Sequence, residues 1–421
     1  MRDFKCLILA AGKGTRMESF EPKVLQPICG KPMLGYVIKL VKKIGIRDTI
    51  VIINNKSQGR QVKSFLGKDI ETIEQKQLLG TANAVNQARR LLKDYEGNLL
   101  ILYGDTPLLT EMTTDKLLEH HVATDAACTL LTAILKNPTG YGRIIKNGLG
   151  RIKTIVEEKD SSIYEKVIEE VNVGVYCFKS KDLFLALKKV KANNTKKEFY
   201  LTDIIKIFYA QGLKIESVST ESTEEILGIN SKNDLAKAHD IIRWRILSRL
   251  MQSGVTIMDP NATFIDEEAV IGKDTIIYPH VMIEGKNYIG KNCKVGPFCR
   301  IRGNCHIEDN VLIGNFVEIV RTSIKSNTKI KHQCYLGDAE VGSEVNMGAA
   351  TIIDNYDGKK KYKTVIEDKV FIGAGVILIA PVKIGKAAVC GAGAIISKNT
   401  NVKPNSKIVG VSARIRHKKG K

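Results

Sequence analysis

An aliphatic side chain recurs at every sixth position through much of the second half of the chain. Ten such residues follow one another without a gap: Ile265, Ile271, Ile277, Ile283, Ile289, Val295, Ile301, Ile307, Ile313 and Ile319. A helix repeats about every 3.6 residues and a strand alternates, whereas antiparallel hairpins would need turn residues about every eight to twelve positions. The six-residue period instead predicts a solenoid of short strands, in which each coil completes the core of its neighbour.

The residues between the aliphatic positions fit the same geometry. The fourth residue after an aliphatic is mostly small, as a narrow prism requires: Thr275, Val281, Cys293, Cys299, Cys305, Val311 and Val317. The register slips by one at Ile324, continues through Ile330 and Leu336, lapses, and returns at Ile366. We expect a functional insertion in the lapse, because insertions in solenoids tend to lie on one binding face.

This pattern resembles the left-handed parallel β-helix. In that fold three hexapeptides form one triangular coil, and the chain departs from the usual right-handed crossover rule. The resemblance implies an acyltransferase that uses acetyl-CoA, usually as a trimer with active sites between subunits. Fold alone does not establish the activity.

Length and a change of periodicity divide the chain. A chain of 421 residues is too long for one compact core. Helical periodicity over residues 233–253, with Gly254 as a stop, predicts an arm between two domains. We therefore predict a first domain over residues 1–229, a linker helix arm over 230–254, and a β-helix over 255–421 that ends in a basic tail.

Charge and cysteine content bear on partners and compartment. The net charge is +20, but the lysines are scattered and nucleic-acid recognition motifs are absent. Polyanionic small substrates explain this charge as well as nucleic acid does, so we expect the former and no nucleic acid. The nine cysteines include no Cys-x-x-Cys pair, which predicts free thiols in a reducing cytoplasm. We also expect no membrane association, because no stretch is apolar enough to span a bilayer.

Strand-like and helical segments alternate through the first half. The predicted strands cover residues 5–9, 49–53, 71–74 and 98–102, and the predicted helices cover residues 33–43, 58–66 and 80–92. This alternation predicts a Rossmann-like α/β domain with a parallel sheet. Ligands of such a sheet bind at the carboxyl ends of its strands.

The first predicted strand ends in a glycine-rich turn with two cations. Its sequence is Leu9-Ala10-Ala11-Gly12-Lys13-Gly14-Thr15-Arg16. Small residues let backbone N–H groups approach phosphate oxygens, and Lys13 and Arg16 can neutralise a triphosphate. The turn is neither a Walker loop nor the Gly-x-Gly-x-x-Gly of dinucleotide binders. Taken alone it would also fit a plain tight turn.

Together with Glu21-Pro22-Lys23, this turn resembles the sugar-1-phosphate nucleotidyltransferases. The resemblance implies that the turn residues Leu9, Ala10, Ala11 and Gly12 contact the nucleotide. It also implies that Arg16 and Lys23 are catalytic cations that hold the triphosphate and the sugar phosphate. The base-recognition segment of the family matches Gln75, Gly80 and Thr81.

An acidic residue follows the last predicted strand, in Tyr103-Gly104-Asp105. Such a residue can hold Mg²⁺ between phosphates, although an isolated aspartate there is more often a cap. The resemblance implies that Asp105 and Asn230 are the metal ligands, with Mg²⁺ as cofactor and UTP as cosubstrate. It further implies that nucleotide or sugar contacts come from Tyr103, Gly104, Gly142, Glu157, Asn172 and Asn230.

The lapse in the solenoid contains a histidine among polar residues. His332 precedes Tyr335, and Asn346 follows in the same irregular stretch. A histidine can take a proton from a sugar ammonium, so that the amine attacks a thioester. A lone histidine on a solenoid wall is nevertheless more often structural.

Across nearly the whole chain the sequence resembles the family of bifunctional bacterial N-acetylglucosamine-1-phosphate uridyltransferases/glucosamine-1-phosphate acetyltransferases. The resemblance implies that the solenoid acetylates glucosamine 1-phosphate with acetyl-CoA, and that the first domain joins the product to UTP. His332 would be the general base of a homotrimeric enzyme. The acetyl acceptor would be bound by Arg302, Arg321, Tyr335, Asn346 and Lys361. Coenzyme A would be bound by Ala349, Asn355, Tyr356, Ala374 and Ala392.

Three positions depart from this family. Val320 stands where the family has a lysine, Ala374 stands where it has a serine, and the arginine expected after Ile408 is missing, although Arg414 is near. We predict that Arg321 replaces the missing lysine. Neighbouring strand residues point to opposite faces, so this replacement requires a turn or bulge near the register slip.

Two other interpretations stay open on sequence alone. One is a monofunctional nucleotidyltransferase whose solenoid only forms a trimer, which the three departures would allow. The other is a non-enzymatic regulatory module like the translation-factor exchange subunits, which share both folds. A regulatory module would have no physical need to keep Arg16, Lys23 and Asp105 together.

Overall fold

The computed structural model describes residues 3–410, which form two compact units. The first unit comprises the residues up to Ile241 and the second begins at Ile242, so the division falls inside a long helix. The domain bounds drawn from the sequence remain a prediction. Within residues 3–410 no helix is both long and apolar enough to cross a membrane. Arg414 and the basic tail lie outside the described residues.

The first unit contains a nine-stranded sheet with helices on both faces and a separate two-stranded sheet. Its strands are β1 (Phe4–Leu9), β2 (Pro27–Ile28), β3 (Lys31–Pro32), β4 (Thr49–Asn54), β5 (Glu71–Gln75), β6 (Asn98–Tyr103), β7 (Cys128–Ile134), β8 (Gly142–Lys146), β9 (Ile152–Val156), β10 (Glu170–Lys179) and β11 (Ile215–Thr220). Its helices are α1 (Met33–Lys43), α2 (Ser57–Leu66), α3 (Thr81–Gln87), α4 (Glu111–Thr124), α5 (Ile163–Lys166), α6 (Ser180–Leu187), α7 (Asp203–Ala210) and the start of α8 (Lys232–Gln252).

The sheet is mixed, which corrects the parallel sheet predicted from the sequence. Its strand order is β11-β7-β10-β6-β1-β4-β5, with β8 paired to β10 and β9 paired to β8. The four strands named in the sequence prediction, β1, β4, β5 and β6, all run parallel to one another, but β10 runs antiparallel to both β6 and β7. A parallel pair needs a crossover of about a dozen residues or more. The short connection between β8 and β9 produces an antiparallel pair instead, and β10 is antiparallel to β8 as well.

Alternate residues of β1 pack into two separate cores. Leu7 and Leu9 belong to the core beneath α3, α6 and α7, whereas Cys6 and Ile8 belong to the core beneath α1, α2 and α4. Because both faces are covered, the central strands are continuously apolar rather than alternating. The predicted helix over 80–92 is shorter than expected, since α3 ends at Gln87 and turns follow.

The second unit is a triangular prism with three parallel sheets as its walls. The first wall contains Thr256–Ile257, Ile276–Ile277, Lys294–Val295, Leu312–Asn315, Lys329–His332, Asn346–Met347, Phe371–Ile372, Val389–Cys390 and Lys407–Ile408. The second contains Thr263–Ile265, Val281–Glu284, Cys299–Arg302, Glu318–Val320, Tyr335–Gly337, Ile352–Asp354, Ile377–Ile379 and Ile395–Ile396. The third contains Val270–Ile271, Tyr288–Ile289, His306–Ile307, Ser323–Ile324, Ala339–Val341, Thr364–Ile366, Val382–Ile384 and Asn401–Val402.

The expected lapse in the repeat is much shorter than the sequence suggested. Val341, Met347 and Ile353 are buried and continue the inward series beyond Leu336. The sequence pattern did not indicate that these residues continue the six-residue period. The reason is that the step from Leu336 to Val341 is five residues, like the step from Ile319 to Ile324. The actual interruption lies between the strands Ile352–Asp354 and Thr364–Ile366.

Each coil is fixed to the previous one at its corners. One corner column consists of residues in the left-handed backbone region: Asp274, Asn292, Asn310, Asn327, Glu344, Lys369, Ala387 and Asn405. Each of these residues donates its backbone N–H to a carbonyl of the preceding coil, as Asn310 does to Lys291 at 2.9 Å. Asparagine and aspartate tolerate this conformation better than other residues with side chains, which explains why half of the column is Asn.

The small interior positions form a second set of links between coils. Thr328 donates its hydroxyl to the Gly342 carbonyl at 2.7 Å and accepts the Val345 N–H at 3.2 Å. Thr275 makes the same pair of bonds with Gly290 and Cys293. Cysteines at equivalent positions direct their thiols at carbonyls of the next coil. Threonine and cysteine are thus used here for their donors as well as for their size.

Thr328→Val tests this role, because valine has the same shape but no hydroxyl. It leaves a buried carbonyl and a buried N–H without a partner, so we expect the unfolding free energy to fall by about 1–3 kcal/mol. Thr328→Cys is the matched control and should cost less, since cysteine occupies this position in other coils. Calorimetric unfolding measures both variants, and equal stability of Thr328→Val and the unmodified protein would contradict the interpretation.

Candidate active sites of the two units

A cavity of about 530 Å³ opens in the first unit where β1, β5 and β6 end. The glycine-rich turn follows β1, Gln75 ends β5, and Tyr103 ends β6. Of the residues chosen from the sequence, those that line the cavity are Leu9, Ala10, Ala11, Gly12, Arg16, Lys23, Gln75, Gly80, Thr81, Tyr103, Asp105 and Asn230. The wall also includes Lys13, and Lys196, for which no sequence motif gave a signal.

Four polar side chains meet at one edge of this cavity. The Lys23 ammonium donates to Oδ2 of Asp105 at 2.5 Å and to Oδ1 of Asn230 at 2.8 Å. The Arg16 guanidinium donates to the same Asn230 oxygen at 2.7 Å. Asp234 accepts the backbone N–H of Asn230 at 3.0 Å, and so fixes the chain just before α8. Asn230 is therefore within hydrogen-bond distance of both cations, and Lys23 is within that distance of both oxygen ligands.

Backbone contacts bring Asp105 to this position. The N–H of Gly104 donates to the Leu9 carbonyl at 3.0 Å, which joins the ends of β1 and β6. A Cβ at Gly104 would lie 3.1 Å from a methyl of Val24, which follows Lys23. The close approach of the two segments therefore favours glycine and lets the Lys23 ammonium reach Asp105.

The oxygen pair fits a magnesium ion. Asp105 and Asn230 offer one carboxylate and one amide oxygen, and both lie beside the same positive charge. Mg²⁺ prefers oxygen ligands and is commonly held by one or two carboxylates together with substrate phosphates. Within residues 3–410 no cluster of three or more His, Cys, Asp or Glu residues could hold a metal.

The predicted sugar contacts Gly142, Glu157 and Asn172 come together at β8, β9 and β10, outside the lining of this cavity. Asn172 lies directly opposite Gly142 in the pairing of β10 with β8, and Glu157 directly follows β9. Burial raises the pKa of Glu157, while the Thr202 hydroxyl, which donates to it at 3.1 Å, has the opposite effect. The pKa of Tyr103 is raised by burial and then by Glu157 and Asp105. Tyr103 is therefore electrostatically coupled to both acidic residues.

In the second unit, His332 is exposed on the first wall. It lies beside Asn315, which the sequence analysis did not predict as a site residue. Its Nδ1 is 2.9 Å from Oδ1 of Asn315, and the two residues stand opposite each other in neighbouring strands. A carboxamide oxygen can only accept, so Nδ1 is the donor in this contact, and in the neutral ring Nε2 is then the nitrogen with the lone pair. The 17-residue separation equals one coil shortened by the register slip, which is the signal that could have found Asn315.

The second wall carries paired charges near the expected acceptor residues. Arg302 donates to Glu318 at 2.8 Å. Arg321 donates two hydrogen bonds to Asp338, at 2.6 and 2.7 Å, and Asp338 also accepts from Asn355 at 2.5 Å. The pKa of Asp338 is lowered, first of all by Arg321. Arg321 thus lies in a fixed orientation.

Arg321 stands at a corner that the register slip shortens, and its replacement of the missing lysine remains a prediction. Arg321 has a positive φ of 48°, and Asp338 one coil later has 53°. Both corners lack one residue relative to a regular repeat. Arg321 and Lys361 line the same cavity of about 380 Å³, together with Asp338 and His306. Tyr335 and Asn346 lie on the walls outside that lining.

Small residues follow one another along a corner at the end of the prism. Gly375 donates its N–H to the Ala349 carbonyl at 2.7 Å, and Gly393 does the same to Ala374 at 2.8 Å. Ala392 directly precedes Gly393, and Ala374 and Ala392 are exposed. Tyr356 is exposed in the interrupting loop, where it forms a bridge with Lys361. This corner therefore leaves space on its surface for a bound molecule.

Comparisons with known proteins cover both units. The family described as nucleotidyl transferase matches residues 5–238, and the family described as bacterial transferase hexapeptide (six repeats) matches residues 288–321. The chain is 44% identical to the bifunctional protein GlmU of Geobacillus thermodenitrificans, over 93% of this chain and 92% of that protein. The GlmU proteins of Acetivibrio thermocellus and Clostridioides difficile are 42% and 40% identical, each over 94% of this chain and 93% of theirs.

The Asn315 contact gives a prediction about His332 that needs no substrate. In the unmodified protein we expect neutral His332 to carry its proton on Nδ1, because Asn315 accepts from that atom. Asn315→Leu removes the acceptor and should shift the ring towards the Nε2–H form that free imidazole prefers. The ¹⁵N chemical shifts of the ring nitrogens report the tautomer, with His306 as internal control. An Nε2–H ring in the unmodified protein would contradict the assignment.

Proposed function

Because the chain belongs to the family of bifunctional GlmU proteins, we propose that its two units carry the two reactions at the sites described above. The chain is a bifunctional enzyme of UDP-N-acetylglucosamine synthesis, with a uridyltransferase and an acetyltransferase activity. Its solenoid is the left-handed β-helix expected from the hexapeptide pattern. A monofunctional transferase with a purely structural solenoid is not favoured.

The observation that best supports the uridyltransferase site is the group formed by Arg16, Lys23, Asp105 and Asn230. A phosphate oxygen of N-acetylglucosamine 1-phosphate attacks the α-phosphorus of UTP, and the bond to pyrophosphate breaks. Negative charge moves onto the leaving pyrophosphate, and the Lys23 ammonium and Arg16 guanidinium would neutralise it; the support is that both cations contact Asn230 in this group. The glycine-rich turn would bind the triphosphate, whereas Gly142, Glu157 and Asn172 would bind the sugar.

Asp105 and Asn230 would hold Mg²⁺ in this site. The ion would neutralise phosphate charge and polarise the phosphoryl group when the nucleotide is bound. The support for this assignment is the converging oxygen pair, since these are the ligands that Mg²⁺ prefers. Tyr103 and Gly104 would line the same end of β6.

In the solenoid, His332 would act as the general base. Its Nε2 would take a proton from the ammonium of glucosamine 1-phosphate, and the freed amine would attack the acetyl-CoA thioester, with coenzyme A as the leaving group. Asn315 would hold the imidazole in the tautomer that makes this possible. The acetyl acceptor would be bound by Arg302, Arg321, Tyr335, Asn346 and Lys361. Coenzyme A would be bound by Ala349, Asn355, Tyr356, Ala374 and Ala392.

We also propose a homotrimer, in agreement with the hexapeptide repeats, and a cytoplasmic enzyme. The buried cysteines fit a reducing compartment. The substrates are small anions, and the net charge of +20 would favour their approach.

Two substitutions test whether the reactions are separate. Asp105→Ala should abolish pyrophosphate release from UTP with N-acetylglucosamine 1-phosphate, while thiol release from acetyl-CoA with glucosamine 1-phosphate stays near that of the unmodified enzyme. His332→Ala should do the opposite and slow thiol release about 10²-fold or more. Each variant thus serves as the folding control for the other. Equal loss of both activities in either variant would refute the assignment.

Arg321 provides a second test, because Val320 replaces the family lysine. Arg321→Ala should raise KM for glucosamine 1-phosphate about tenfold or more while KM for acetyl-CoA stays constant, since a guanidinium can bind phosphate through two hydrogen bonds. Arg300→Ala is the matched control, because Arg300 forms a similar pair with Glu284 on the same wall. If neither KM changes in Arg321→Ala, this cation does not contribute to acceptor binding.

A further inference from the structure

The side chain of Gln75 is held in one orientation at the wall of the nucleotide cavity. Its amide nitrogen donates to the Gly80 carbonyl at 3.1 Å and to Oδ1 of Asn83 at 2.9 Å. A backbone carbonyl can only accept, so the nitrogen and the oxygen of the Gln75 amide cannot be exchanged without placing two oxygens together. Gln75 is only 3% exposed, and little room remains for another arrangement.

This orientation determines what Gln75 can offer to a ligand. Both hydrogens of its amide nitrogen are used, so the group left for a ligand is the acceptor Oε1. Within residues 3–410 no group donates a hydrogen bond to Oε1 of Gln75. This oxygen is also not among the fully buried polar atoms that lack a partner, so it is accessible to a ligand. The backbone N–H of Gly80 likewise has no acceptor in the described part of the chain. The wall therefore presents one acceptor and one donor.

An acceptor beside a donor distinguishes between pyrimidine bases. Uracil has an N3–H donor flanked by two carbonyl acceptors, so it matches Oε1 and an N–H group together. Cytosine has a lone pair at N3 and an amino group at C4, so its N3 would face Oε1 lone pair to lone pair. A mismatch of this kind lowers the binding free energy by more than an absent contact does, because buried polar groups are left without a hydrogen-bond partner.

We propose that Asn83 is a positioning residue for nucleobase specificity, because its side-chain oxygen keeps the Gln75 amide turned with its acceptor towards the base. This inference rests on the uridyltransferase function proposed for the cavity. Asn83 lies near the start of α3, and its backbone carbonyl accepts from Gln87 at 3.0 Å. It acts through Gln75 and does not line the cavity itself.

Phe199 restricts the backbone at Gly80, whose carbonyl is the other acceptor for the Gln75 amide. Gly80 has a φ of 104°, and a Cβ there would lie 2.5 Å from the Phe199 carbonyl. That carbonyl also accepts the N–H of Ala82 at 2.9 Å, so it is fixed to the start of α3. Gly80 thus keeps its carbonyl beside Gln75, and Asn83 supplies the second, replaceable acceptor. The side chain of Asn83 is therefore the position where the orientation can be changed by substitution.

The test compares UTP with CTP in pyrophosphate release with N-acetylglucosamine 1-phosphate. Asn83→Leu removes the acceptor at similar size and should lower the ratio of kcat/KM for UTP to that for CTP roughly three- to tenfold, about the value of one hydrogen bond. The change should lie in KM for UTP, with kcat little affected. Asn83→Asp keeps an acceptor oxygen and should retain the ratio of the unmodified enzyme.

Asn86→Leu is the matched control. Asn86 lies on the same helix, is exposed, and accepts from Arg89 at 2.8 Å away from Gln75, so its substitution should leave the ratio unchanged. An unchanged ratio in Asn83→Leu, or equal losses with both nucleotides, would overturn the positioning role. If the unmodified enzyme released no pyrophosphate from UTP, the proposed function would fail, which is a separate outcome.

Discussion

The second unit depends on one repeated backbone hydrogen bond, donated at a corner from one coil to the previous one. The donor residue is in the left-handed region at every level of the column from Asp274 to Asn405. Each coil is held only by its neighbours. A coil that is one residue shorter therefore requires the next coil to be shortened in the same way. The two five-residue steps, which place Arg321 above Asp338, satisfy this condition. The shortened corner that contains Arg321 is therefore repeated in the next coil.

In the first unit the corresponding constraint is the junction of β1 with β6. The Gly104 N–H bonded to Leu9 brings the glycine-rich turn and Asp105 to the same edge, and Lys23 and Asn230 complete the group from other segments. The two cations each contact Asn230, so removal of that amide would leave both without a common acceptor. Positive charge is in this way concentrated at the edge where a triphosphate needs it.

The sequence predicted most of this architecture where a local pattern encodes it. The bounds of α1 agree with the predicted helix over 33–43, and the first four predicted strands are present. The prediction of a parallel sheet was wrong at β10, since no local pattern records the direction of a strand. Val341 was missed because a five-residue step breaks the periodicity that identifies its neighbours. Asn315 and Asn83 were not predicted for a different reason. Only the coil register brings Asn315 near His332, and only the start of α3 brings Asn83 near Gln75.

The interior use of cysteine has a practical consequence. All nine thiols are buried, and burial raises the pKa of those in the solenoid, to about 11 for Cys299 and Cys390. A thiol reacts with alkylating reagents as its thiolate and only when it is accessible. The native thiols of the folded protein should therefore not react with maleimides. A single cysteine introduced on the surface could be labelled with a fluorophore or spin probe without first replacing the native ones.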